Sequence, residues 1–84
     1  MIERQLRDET EKWLTRAKEK REEIALVDKS KEDMMENVDA YISDSGHFLK
    51  KGDLIRAFEA VIWSWSIMEI CLDAGIFDYK KNIF

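Results

Sequence analysis

The clearest pattern in the chain is an apolar stripe in its last third. Large apolar residues recur there at spacings of four and three: Leu54, Phe58, Val61, Trp65, Met68 and Leu72. This spacing is typical of an amphipathic helix that packs against a core. Gly52 and Gly75 flank the stretch at positions that favour glycine, and Asp53 can cap the first turn. We therefore predict a helix over residues 53–74.

Two further helices are predicted before it. Apolar residues lie along one side of the first segment, which predicts a helix over residues 2–27: Ile2, Leu6, Trp13, Ala17, Ile24 and Val27. Ser30 opens a capping-box-like run, which predicts a second helix over 31–51. Because the connections are short, neighbouring helices should be antiparallel. We expect an all-α, three-helix up-down-up antiparallel bundle that forms one domain over residues 1–84.

The tail at 76–84 is short and apolar. It should emerge near the turn between the first two helices, so we expect it to pack there as one more helical turn. Its expected neighbours are Leu26, Val27, Met34 and Met35. Inside the bundle, Thr10 and Ser45 are polar residues at core positions, where each hydroxyl can bond to a carbonyl of its own helix.

The third helix carries a second apolar face. At 100° per residue, Trp63, Ile67 and Ile70 point almost opposite to Val61 and Trp65. The tail, another protein molecule, or both must cover this face. The predicted contact surface comprises seven residues: Trp63, Ile67, Ile70, Arg56, Glu59, Phe77 and Phe84. The favoured function is a non-enzymatic interaction module, either a homo-oligomer or a subunit of a larger assembly.

Charges within the third helix argue against a membrane span. Arg56, Glu59 and Glu69 interrupt its apolar run, and a charge at mid-bilayer costs at least about 2.5 kcal/mol. Met1 leads directly into a charged segment, so no signal peptide is recognised and a cytoplasmic location is expected.

The acidic balance argues against nucleic-acid binding. The chain has a net charge of −4 and no basic block, which is a poor match for a phosphate backbone. An RNA-binding module would need a patch assembled from Lys50, Lys51, Arg56, Lys80 and Lys81. This is the weakest of the alternatives.

Enzymatic chemistry is the other alternative, either a small enzyme or a nucleotide-processing accessory. It would use the carboxylates of the second helix and the single histidine: Glu32, Glu36, Asp39, Asp44 and His47. A metal site in a bundle requires ligands that point inward from facing helices. Glu36, Asp39 and His47 instead fall opposite the predicted core face. Cys71 is the single cysteine, so no intrachain disulfide can form. We predict no catalytic residue, metal or cofactor.

Three motifs resemble one known family. They are Glu9-Thr10-x-Lys12-Trp13-Leu14, then Asp44-x-x-x-Phe48-Leu49-x-x-Gly52-Asp53-x-x-x-Ala57-Phe58-Glu59-Ala60, and then Leu72-Asp73-Ala74-Gly75. Together they resemble the archaeal family of uncharacterised small helical proteins, domain of unknown function 357. The resemblance implies a compact three-helix bundle in a cytosolic archaeal protein, and no activity to transfer. Trp63-Ser64-Trp65-Ser66 departs from the expected tyrosine, alanine and glycine.

Overall fold

A computed structural model describes residues 1–84, and most of them are helical, as the sequence predicts. The elements are α1 (Ile2–Glu23), β1 (Ile24–Leu26), a 3-10 turn (Lys29–Lys31), α2 (Glu32–Lys50), α3 (Leu54–Asp73), β2 (Phe77–Tyr79) and α4 (Lys80–Ile83). The molecule is elongated, with extents of 43 × 21 × 17 Å. The structure therefore contains the three expected helices and, in addition, a small two-stranded sheet and a short fourth helix.

The first helix ends earlier than its sequence pattern predicts. The prediction of a helix over 2–27 is wrong for its last residues, because Ile24 has extended backbone angles (φ −114°, ψ 155°). Strand β1 pairs antiparallel with β2, with Ile24 opposite Tyr79 and Leu26 opposite Phe77. Ile24 is fully buried, so its apolar character serves a strand pair and not a further helical turn.

The tail lies beside the turn between α1 and α2, as predicted, but it forms a strand before its helical turn. The carbonyl of Ile76 accepts hydrogen bonds from the backbone N–H groups of Val27 (2.8 Å) and Asp28 (3.2 Å). The chain then continues as β2, and α4 forms one short helical turn after it. Main-chain pairing therefore adds to the predicted apolar packing, since Phe77 lies in the core cluster with Met35, and Ile76 and Leu26 pack against it.

Small side chains form the buried face of α3. The residues on this face are Ala57, Ala60, Val61, Ser64, Met68 and Cys71. Leu54, Phe58, Trp65 and Leu72 belong to the predicted stripe, but they are only half-buried at its edge. Small residues permit close approach where α3 meets α1 and α2, and the larger side chains fill the space beside that contact. The side of α3 that faces the core is thus centred on these small residues and not on the large residues of the predicted stripe.

Three buried hydroxyls each have a hydrogen-bond acceptor. The Thr10 hydroxyl donates to the Leu6 carbonyl at 2.6 Å and Ser64 donates to the Val61 carbonyl at 2.7 Å. Both bonds stay within one helix, as expected for Thr10. The Ser45 hydroxyl instead donates across the helix contact to the Ala57 carbonyl at 2.8 Å. The expectation that Ser45 bonds within its own helix is wrong, and this bond joins α2 to α3.

Lys20 connects α1 to α3 and to the tail. Its ammonium donates to Glu69 Oε1 at 2.6 Å and to the Tyr79 hydroxyl at 3.2 Å, and it lies 5.1 Å from the centre of the Trp65 ring. Partial burial alone would lower the pKa of Lys20, but these hydrogen bonds and the Glu69 charge together raise it. The side chain therefore stays protonated and fixes β2 against the helices.

Candidate interaction surface

One side of α3 is left open to solvent. Helices α1 and α2 pack on α3, while the tail lies beside β1. Four large apolar side chains remain exposed there: Ile55 (69%), Ile62 (40%), Trp63 (57%) and Ile70 (66%). We call these four residues the α3 outer face. Exposed apolar residues are ordinary when scattered, but four on one helix side form a patch that favours contact with another molecule.

The two tryptophans of α3 have different environments. Trp63 stacks on Tyr41 of α2, with ring centroids 6.2 Å apart and an interplanar angle of 21°. Because only one side of the indole is covered, Trp63 is oriented by α2 and still more than half exposed. Trp65 packs edge-to-face against Trp13 at 5.4 Å and donates its ring N–H to the Trp13 carbonyl at 3.2 Å. Trp65 is therefore structural.

The predicted contact residues divide between surface and core. Trp63, Ile70, Arg56 and Glu59 are exposed along α3, and Phe84 is exposed at the chain end. Ile67 is half-buried and packs against the core cluster.

Phe77 is only 1% exposed and lies in the core, so it is not available for contact. Its burial follows from the strand pairing of β2, which the sequence pattern did not indicate.

Ile55 and Ile62 belong to this face but not to the predicted contact residues. They are seven positions apart, which places them on nearly the same side of a helix. This spacing indicates their side of α3 once the core side is centred on the small residues and not on the largest ones. Strand β2 of the tail packs on α3 as well as on β1, but Trp63 and Ile70 remain 57% and 66% exposed, so the tail does not cover these two side chains.

The carboxylates and histidine considered for catalysis do not converge. Glu32, Glu36, Asp44 and His47 are exposed on α2. Asp39 forms a two-point ion pair with Arg21 of α1, at 2.6 and 3.2 Å.

No three histidine, cysteine or acidic side chains come together to hold a metal ion. Burial, together with the nearby charge of Asp33, raises the pKa of the Cys71 thiol. A buried, protonated thiol is a weak nucleophile.

The basic residues considered for RNA binding do not form one patch. Lys50 and Lys51 lie at the corner between α2 and α3, whereas Lys80 and Lys81 follow β2. The intervening α3 has 20 residues, which corresponds to roughly 30 Å along its axis. The two lysine pairs are therefore at opposite ends of the molecule.

Two open grooves on the surface are lined mainly by charged residues. One lies along α1 and has only polar and charged lining residues: Asp8, Glu11, Lys12, Thr15, Arg16 and Glu19. The second lies beside the tail and contains one aromatic residue: Glu22, Glu23, Tyr79, Lys80 and Lys81. Small-molecule sites are usually enclosed and largely apolar, so neither groove resembles one. Separately, none of the helices combines the length and the apolar character required to traverse a bilayer.

Comparison with known proteins identifies one family. The family model described as "Protein of unknown function (DUF357)" matches residues 7–77. The crystal structure of protein AF1782 from Archaeoglobus fulgidus, of the same family model, is similar with a TM-score of 0.88 and 48% sequence identity. The alignment covers 95% of this chain and 100% of that chain. A search of curated proteins finds no match. The matched segment spans most of the chain, which therefore belongs to the DUF357 family of proteins of unknown function.

Proposed function

We propose that the protein is a non-catalytic interaction module that associates with a second copy of itself through the α3 outer face. The observation that supports this proposal is the exposure of Trp63 and Ile70 together with Ile55 and Ile62 on one side of α3. In a single chain, such exposure is compatible with contact to a second copy and with contact to water alone. Oligomeric state separates the two.

The size of the patch sets the expected affinity. Full burial of a large apolar side chain is worth about 1.5–3 kcal/mol. The four side chains are about half exposed, so each copy gains roughly 4 kcal/mol and a pair gains about 8 kcal/mol. An association cost of about 4 kcal/mol offsets half of this gain. The remaining balance of about 4 kcal/mol corresponds to a Kd of about 1 mM.

Size-exclusion chromatography with light scattering tests the proposal at protein concentrations up to about 2 mM, which spans the expected Kd. Wild type should show a mass that rises with concentration from one copy toward two. Trp63→Glu and Ile70→Glu should remain monomeric, because each places a charge in the centre or at the end of the contact. Both side chains are more than half exposed, so the substitutions should leave the fold intact, as circular dichroism can verify.

Ile2→Glu is the matched control. Ile2 is 79% exposed at the start of α1 and lies outside the α3 outer face, so this variant should associate like wild type. A wild type that stays monomeric throughout the range would overturn the proposal. Equal association of wild type and both α3 variants would overturn the assignment to this face.

A further inference from the structure

The α3 outer face has almost the same order of side chains from either end. Ile55 and Ile70 lie equally far from the peptide bond between Ile62 and Trp63. At 1.5 Å per residue, each is about 11 Å along the axis from that bond. Two apolar residues thus occupy the centre of the face, and one isoleucine occupies each end.

The polar positions follow the same symmetry with complementary character. Glu59 and Ser66 lie equally far from the centre, within the arc that the isoleucines occupy. Arg56 and Glu69 are also equally distant from it, at the two edges of the face. Each already pairs within its own chain, Arg56 with Asp53 at 3.6 Å and Glu69 with Lys20 at 2.6 Å, so neither brings an unpaired charge to the contact. Glu59 is thus the one charge near the middle of the face, and its mirror position holds an uncharged residue.

From this pattern we propose that two copies pair through α3 in antiparallel orientation, about a two-fold axis beside the Ile62–Trp63 bond. This inference rests on the proposed self-association. The arrangement places Ile55 of one copy level with Ile70 of the other, and it gathers Ile62 and Trp63 of both copies around the axis. A two-fold pair of this kind is closed and uses the same patch on both copies.

Charge distinguishes antiparallel from parallel pairing. In a parallel pair, each residue lies level with its own counterpart, so Glu59 would face Glu59 in the middle of the contact. Like charges that meet in a partly desolvated contact repel each other. In the antiparallel pair, Glu59 is level with the uncharged Ser66 of the second copy, so this repulsion is absent. The position of Glu59 near the middle of the face therefore favours the antiparallel orientation.

Thiol cross-linking tests the orientation. Ile55→Cys and Ile70→Cys are prepared separately, and each is treated with a bismaleimide of about 8 Å span, alone and as an equimolar mixture. In the antiparallel pair, two copies of residue 55 are about 22 Å apart along the axis. The mixture should therefore yield a cross-linked dimer containing one chain of each variant, and neither variant alone should do so. Mass spectrometry of the linked peptides identifies the pair.

Two controls accompany this experiment. Wild type contains only Cys71, which is 2% exposed, and should not cross-link. Ile62→Cys lies beside the proposed axis and should cross-link to itself. Cross-linking of Ile55→Cys alone, as readily as in the mixture, would overturn the antiparallel arrangement while self-association stands. Monomeric variants and a monomeric wild type, measured by light scattering at the same concentration, would overturn both proposals.

Discussion

The hydroxyl of Ser45 lies between α2 and α3, where it donates to the Ala57 carbonyl. Ala57 and Ser45 are both fully buried, so no water competes for this bond. A bulkier pair at these positions would force the helices apart. At the scale of single residues, small and polar side chains therefore set the separation of the helices, and the large ones fill the edges.

Asp28 provides a pH-dependent contribution at the turn after β1. Its carboxylate accepts hydrogen bonds from the Ser30 hydroxyl at 2.6 Å and the Ser30 backbone N–H at 3.0 Å, and these bonds hold the pKa of Asp28 below its ordinary value. A depressed folded-state pKa stabilises the fold above the unfolded value of about 3.9. That contribution is lost as pH falls through the folded-state pKa.

The stability of the Asp28→Ala variant should depend on pH, because the pKa of Asp28 is lowered in the folded protein. Urea unfolding at pH 7 should show a less stable variant than wild type, and the difference should shrink as the pH is lowered from 5 toward 2, the window in which such a carboxylate titrates. Ser30→Ala removes one of the two donors and should show a smaller version of the same trend. A difference that is constant over this pH range would contradict the role of the Asp28 carboxylate.

Two glycines should respond to alanine with opposite signs. Gly46 lies inside α2, and a Cβ there would meet only Leu14 Cδ2 at 4.0 Å, an ordinary contact. Gly46→Ala should therefore stabilise the protein by up to about 1 kcal/mol through helix propensity. Gly75 has φ +77° with open space around it. Gly75→Ala should destabilise by about 1–2 kcal/mol, because an L residue is strained in this conformation.

Thermal unfolding of the two glycine variants checks this pair. The Tm should rise for Gly46→Ala and fall for Gly75→Ala relative to wild type. A fall for Gly46→Ala would mean that another backbone requires the space beside α2, contrary to the open environment of this glycine.

At the scale of elements, the short β2 strand anchors the tail through Phe77. This side chain is 1% exposed and belongs to the main core cluster. Phe77→Ala should cost about 3–5 kcal/mol, which corresponds to a fall in Tm of about 15 °C or more for a domain of this size. Chemical denaturation and calorimetry can both measure the loss.

Phe84→Ala serves as the control for Phe77→Ala. Phe84 is 90% exposed, so its removal should change stability by less than about 0.5 kcal/mol. Equal losses for the two variants would contradict the anchoring role of the buried Phe77 ring.

The parts of this architecture that the sequence could predict are those determined by neighbouring residues. The predicted helices at 31–51 and 53–74 end within one residue of α2 and α3, because Asp53 caps α3 and Gly52 has a positive φ of 78° at the corner. These features depend on neighbouring residues only. The change from helix to strand at Ile24 depends on β2, some 50 residues away, and periodicity does not contain such information.

The exposed apolar face of α3 was also partly predictable from local pattern. Wheel geometry correctly brought Trp63 and Ile70 to an exposed side of α3. It placed the core centre on the largest residues, although Ala60 and Ser64 occupy it. Burial of Phe77 could not be derived, because it follows from a strand pair that local pattern does not indicate.

At the scale of the whole molecule, the fold does not indicate a function, so the function must be inferred from surface residues. The shared architecture with AF1782 extends over nearly the full chain, but a fold does not specify an activity. The grooves are polar, and the candidate metal ligands do not converge. The α3 outer face is the surface whose apolar character and symmetry together favour a protein contact, which is why our proposals concern this face.

Sedimentation equilibrium of the wild-type protein, from about 20 μM to 2 mM, tests self-association most directly, because the range brackets the expected Kd. We expect the weight-average mass to rise smoothly from that of one chain toward that of two without exceeding it, since a two-fold pair is closed. A mass that stays at one chain up to 2 mM would contradict self-association through α3. A mass that continues to rise beyond two chains would contradict the closed pair.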